Sequence, residues 1–192
     1  MKNSDLNSDL NYFSTGKRIW KNLVITAAIT VGLTQQALAN IEGLALQGSG
    51  TLHWFGIKIY EAKLFTPGQL DPAQLPSKPF ALELTYARDF SGASIAERSS
   101  DEIKRLGFGN TEMRQSWQQR MQAVFPNVRA GDRIRGVHRP GAGVSFFHND
   151  KPIGAIEDSE FARAFFAIWL DPRTAKPSLR KELLGLAESA KP

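Results

Sequence analysis

The chain has 192 residues, 42% of them apolar and 22% charged, a balance that fits a globular domain and excludes a disordered or fibrous chain. It contains no cysteine, which excludes disulfides, thiolate metal sites and a cysteine nucleophile, and its three histidines (His53, His138, His148) are too scattered to suggest zinc. Of the formal charge of +5, Lys2, Lys17, Arg18 and Lys21 against Asp5 and Asp9 account for two units before residue 40, and the rest is too mild an excess to argue for nucleic acid.

In chain order, the first feature is a targeting pattern. Lys17, Arg18 and Lys21 precede the apolar run 23–33, and Ala37-Leu38-Ala39 then supplies a small-x-small cleavage site. This predicts a signal peptide over 1–39, a domain over 40–192 and a periplasmic location. The run is short for a membrane span, so no stable span is expected after cleavage, with an uncleaved anchor as the alternative. No cysteine follows the run, which rules out a lipoprotein anchor.

Leu44–Gln47 and Thr51–Phe65 read as strands separated at Gly48-Ser49-Gly50, and Thr66–Lys78 reads as a Pro/Gly loop. Phe80, Leu82, Leu84 and Tyr86 alternate with Ala81, Glu83 and Thr85, a half-buried strand whose parity extends to Arg88. Ser94-Ile95-Ala96-Glu97 is a capping-box pattern opening a helix with a mixed stripe of Ile95, Ser99, Glu102, Ile103 and Leu106. Asn110 or Thr111 caps a second helix, with Met113, Trp117, Met121, Val124 and Phe125 on one face and Pro126 closing it.

Three strands follow near 133–138, 144–148 and 152–156, joined by turns at Pro140–Gly143 and Asn149-Asp150. Asp158 then caps a helix that places Phe161, Phe165, Ile168 and Trp169 on one stripe and stops at Asp171-Pro172. A last helix begins near Pro177 and carries Leu179, Leu183, Leu184 and Leu186. Runs of strands and runs of helices without βαβ alternation define an α+β protein, with an antiparallel sheet.

Several segments together resemble the bacterial exported branch of the chalcone isomerase-like family. They are Gly48-Ser49-Gly50, Lys58–Phe65, Leu84-Thr85-Tyr86-Ala87-Arg88-Asp89, Arg98-Ser99, Phe125-Pro126, Gly131-Asp132-Arg133, Pro140–Gly143, Gly154 and Phe161–Thr174. The resemblance implies an open-faced sandwich: one large antiparallel sheet with a layer of helices on one face. Members of the family include plant enzymes that close a chalcone to a flavanone and proteins that bind fatty acids. The enzymes use an arginine before a long strand, a threonine on it, and a tyrosine and an asparagine on the following helix. In this chain the threonine position falls at Tyr60, the arginine position at Leu52 or His53, and the helix positions at Ile95 and Glu102. No residue type is kept, so the resemblance assigns no catalytic residue, and cyclisation of a chalcone is not expected.

The candidate ligand-binding residues are Tyr60, Tyr86, Arg88, Ser99 and Glu102. Arg88, on the buried-face parity beside Tyr86, suits a carboxylate held by paired hydrogen bonds, or else an ion pair with Asp89, Asp101 or Glu102. Tyr60 points a hydroxyl into a cleft or packs in the core with its tip wet. Ser99 lines a cleft or permits close helix–sheet packing. Glu102 on the inner stripe hints that this helix face is not wholly dry. Trp117, Phe161, Phe165 and Trp169 either line a cavity or fill a core. Asp132, Asp171 and Arg173 satisfy turns and helix ends. His138 and His148 flank a hairpin, but two exposed imidazoles make a weak metal site; no metal or cofactor is expected.

The leading expectation is binding of a small amphipathic or carboxylate ligand such as a fatty acid. An intramolecular lyase or isomerase with another substrate and an interaction module of an envelope complex are the alternatives.

Overall fold

The computed structural model describes residues 43–186. The predicted signal peptide and its cleavage site lie outside the described residues. Six strands follow one another across a single antiparallel sheet: β1 (Ala45–Trp54), β2 (Ile57–Thr66), β3 (Phe80–Tyr86), β4 (Arg133–Arg139), β5 (Gly143–His148) and β6 (Lys151–Ile156). The helices α1 (Gly92–Leu106), α2 (Thr111–Val124), α3 (Ser159–Leu170) and α4 (Pro177–Leu183) form a layer on one face. This is the α+β open-faced arrangement expected from the order of elements.

Three local expectations are corrected. Gly48 and Gly50 do not break the chain; β1 runs through them with a bulge between Leu46 and Gly48. They are glycines because α4 packs directly on them. A Cβ at Gly48 would run into the carbonyl oxygens of Glu182 and Leu183, and one at Gly50 would strike the Glu182 carboxylate and Leu179. The actual break lies inside the stretch read as one long strand: Phe55 and Gly56, with φ of 47° and 77°, turn β1 into β2. The predicted loop 66–78 contains a 3-10 helix, Pro72–Ser77, capped by Asp71.

Helix α1 starts earlier than the capping-box pattern suggests. Ser91 is its N-cap and accepts from the Ser94 N–H at 3.1 Å, while Ser94 Oγ donates back to the Ser91 carbonyl. Asn110 caps α2 and Asp158 caps α3, as the sequence indicates. The α3 stripe is wider than predicted. Phe161, Ala162, Ala164, Phe165, Phe166 and Trp169 are all buried, so the helix lies inside the molecule rather than along its surface.

Inward-facing side chains from the strands (Leu64, Leu82, Leu84, Ile134, Phe146, Ile156) meet Trp117, Met121, Phe161, Phe165 and Leu183 in one core. Phe161 and Phe165 stack at 5.5 Å, and Phe146 meets Phe165 edge-on at 5.3 Å. The outer face carries a minor apolar cluster of Ala81, Val137 and Phe147 beside an ionic group in which Arg133 and Arg135 meet Glu83 and Asp150. No helix among the described residues is long and apolar enough to cross a membrane.

Candidate ligand-binding site

Between the sheet and the helix layer the core is incomplete. A cavity of about 430 Å³ opens where β1–β4 meet α1, α3 and the segment Thr174–Lys176, within the size range of small-molecule sites. Its depth is set by buried apolar residues: Leu82, Leu84, Phe125, Ile134 and Phe165. Its mouth lies where the lining residues are exposed: Trp54 and Ala175 on one side, beside the half-buried Lys176, and Ser94 and Arg98 on the other. Gly136 on β4 contributes no side chain to the floor.

Tyr60 and Tyr86 stand opposite each other in the β2–β3 register, their rings 6.2 Å apart and edge to face. The Tyr60 hydroxyl accepts the indole N–H of Trp169 at 3.0 Å, which leaves its own proton free to donate. The Tyr86 hydroxyl has no hydrogen-bond partner among the described residues although the side chain is only 5% exposed. Burial pushes the Tyr60 phenol up to about 12, against the lowering effect of the Trp169 bond, and burial also raises Tyr86. Both are therefore neutral donors at ordinary pH. They suit a hydrogen-bond acceptor, such as a carbonyl or carboxylate, and are poor proton-abstracting bases.

Helix α1 supplies the polar wall. Ser99 faces the cavity, its hydroxyl spent on the Ile95 carbonyl at 2.8 Å. Glu102, 8% exposed, is held between Arg98 at 2.6 Å and Arg105 at 2.7 Å. The two guanidiniums neutralise it, so the wall does not repel an anion as a lone carboxylate would.

The structure brings Tyr60, Tyr86, Ser99 and Glu102 to one cavity and places Arg88 elsewhere. β3 ends at Tyr86 and the chain bends, so the strand parity does not reach Arg88; it is exposed, lies outside the cavity and makes no ion pair among the described residues. The cations at the cavity are Arg98 and Lys176, which the sequence reading did not select. Arg98 was detectable as the residue one turn before Glu102; nothing in the sequence marks Lys176.

Of the four aromatic candidates, Phe165 and Trp169 line the cavity, whereas Phe161 and Trp117 are packed core. Trp117 donates to Asp158 at 2.9 Å. His138 and His148 do not face each other: His138 pairs with Val144 and His148 with Ile134, at opposite ends of the hairpin. Asp132 accepts the Arg129 N–H and Asp171 the Arg173 N–H, each at 2.8 Å, while Arg173 reaches the end of α1 at the Leu106 carbonyl.

An antiparallel sheet with one helix-covered face and an apolar cavity between the layers defines an open-faced sandwich. The chain belongs to the chalcone isomerase-like family, whose model matches residues 26–185. Over 142 residues it is 29% identical to an uncharacterized protein of Haemophilus influenzae, covering 74% of this chain and 68% of that one. The crystal structure of a fatty-acid binding protein from Arabidopsis thaliana is similar with a TM-score of 0.54 at 13% identity, covering 74% of this chain and 87% of that chain; the likeness is one of fold. The positions matched to the plant enzyme's catalytic residues, Leu52, Tyr60, Ile95 and Glu102, all border the cavity, and His53, the other match for the arginine, does not.

Proposed function

We propose that this chain is an exported binding protein that holds a small amphipathic molecule, of the fatty-acid type, in the cavity between sheet and helices. The observation that carries this reading is an apolar cavity of about 430 Å³ with two neutral phenols on its wall, one of them without a partner among the described residues. An apolar tail fills the space among Leu82, Leu84 and Phe165, and an acceptor-bearing head meets Tyr60 and Tyr86 or the rim cations Arg98 and Lys176. The fold likeness to a fatty-acid binding protein agrees with this. Cyclisation of a chalcone is not expected, because the position matched to the plant enzymes' arginine is Leu52 or the off-cavity His53.

The test is extraction and mass spectrometry of lipid carried by the purified chain, together with titration by a fluorescent fatty acid. Co-purified lipid and saturable binding that weakens about tenfold in Tyr60→Phe/Tyr86→Phe, the loss of one or two hydrogen bonds, are expected. A chain that carries no lipid and binds no fatty acid would end the reading. Export, which rests on the 17–39 pattern, is checked by the N-terminal sequence of the protein in the periplasmic fraction, expected to begin at Asn40.

A further inference from the structure

The tip of the β1–β2 hairpin gathers at one point three of the five large apolar side chains exposed among the described residues: Trp54 is 52% exposed, Phe55 88% and Ile57 47%, with Leu46 and Leu186 elsewhere. Trp54 and Phe55 meet edge to face at 5.1 Å, forming one projecting knob. Phe55 occupies the first turn position at a φ of 47°, in the left-handed region where Asn or Gly is favoured and a bulky side chain is strained. Backbone preference alone favours another residue there, and the strain directs attention to what the exposed ring could contact.

What surrounds the knob indicates its partner. Lys176 Nζ sits 4.8 Å over the Trp54 ring, and Lys58 and Arg88 line the shallow depression next to Ile57. With Arg98 across the mouth these cations outnumber the carboxylates of Asp89 and Glu102. Aromatic and aliphatic side chains ringed by cations are the composition that inserts into a lipid interface bearing negative charge. Trp54 belongs both to the knob and to the mouth of the cavity.

We propose that the β1–β2 hairpin tip docks on an anionic membrane surface, inserting Trp54, Phe55 and Ile57 and bringing the cavity mouth against the bilayer. Docking stands on the tip itself; exchange of ligand between bilayer and cavity rests on the binding function proposed above.

The chain has no native cysteine, so Phe55→Cys carrying an environment-sensitive fluorophore reports on the tip alone, whatever the apolar run 23–33 contributes. With vesicles of phosphatidylglycerol and phosphatidylethanolamine its emission is expected to move to the blue and escape iodide quenching, with phosphatidylcholine vesicles at least about tenfold less effective. The same label at Ile57→Cys is expected to respond in the parent and to lose at least about tenfold in vesicle affinity on Phe55→Asp, an exposed substitution that leaves the core intact. Lys58→Glu with Lys176→Glu is expected to weaken docking most at low salt.

A label at position 55 that stays open to iodide at saturating lipid would overturn the proposal. So would an Ile57 response indifferent to Phe55→Asp, or shielding of the label by self-association without lipid, which would assign the tip to a second copy of this chain. Fatty-acid titration of the same chains without vesicles separates the two ideas. Retained fatty-acid binding in Phe55→Asp with lost docking supports both, whereas docking by a chain that binds no fatty acid supports the tip and removes the cavity reading.

Discussion

The indole N–H of Trp169 donates to the hydroxyl oxygen of Tyr60 across 3.0 Å, joining α3 to β2 at the wall of the cavity. Tyr60→Phe removes the acceptor and leaves the indole N–H facing an apolar space. A loss of about 1 kcal/mol in urea unfolding is expected. In Trp169→Phe the additional cost of Tyr60→Phe should largely disappear, the signature of a coupled pair in a double-mutant cycle.

Ser99 sits on the cavity wall with its hydroxyl already bonded to the Ile95 carbonyl. Ser99→Leu projects an isobutyl group into open space rather than into packed neighbours. Fatty-acid affinity is expected to fall at least about tenfold while the melting temperature holds or rises, as cavity-filling substitutions behave. A marked drop in melting temperature would mean that the space is not available.

Asp158 does two jobs: it accepts the Glu160 and Phe161 N–H groups as the N-cap of α3, and the indole N–H of Trp117. Burial alone would raise its carboxyl, but these hydrogen bonds outweigh burial and hold it below the usual carboxylate range. Asp158→Ala is expected to cost about 2–4 kcal/mol, a lost cap plus an unpaired buried indole, and Asp158→Asn distinctly less. Because the folded-state value is depressed, this stabilisation is complete above the unfolded value of 3.8 and lost as pH falls through the folded value.

His138 gives a second pH window. It is 7% exposed, its Nε2–H donates to the Pro76 carbonyl at 3.2 Å, and its buried Nδ1 has no partner among the described residues. Burial holds the imidazole below its ordinary 6.5, since a second proton on Nδ1 would find no acceptor. The unfolded chain therefore binds a proton that the folded one resists, and stability falls as pH drops below 6.5. In His138→Phe the slope of stability between about pH 5 and 7 is expected to flatten, read from denaturation midpoints across that range.

The order of elements from Phe80 onward, the meander of β4, β5 and β6 and two of the four helix caps were legible because they rest on local signals: alternation in Phe80–Tyr86, Asn110 and Asp158 before helical periodicity, and the Pro-Gly turn at 140–143. The errors share a physical origin. Phe55 carries no turn signal, so the hairpin was hidden in an apolar run; Gly48 and Gly50 look like breakers but serve a helix more than a hundred residues away. The candidate site was half readable. Tyr60, Tyr86, Ser99 and Glu102 follow from strand and helix periodicity, while Arg88 fails because periodicity stops where β3 stops. The rim residue Lys176 comes from a connecting segment, which has no period to read.

The seating of β1 on α4 has a consequence for the order of events in the living cell. Gly48 rests against the carbonyls of Glu182 and Leu183, and Leu183 and Leu184 are almost wholly buried. The β1–β2 hairpin therefore waits for a helix that is made more than a hundred residues after it. Nascent chains arrested short of Pro177 are expected to remain open to protease, and the compact form to arise only once α4 has emerged and closed on β1.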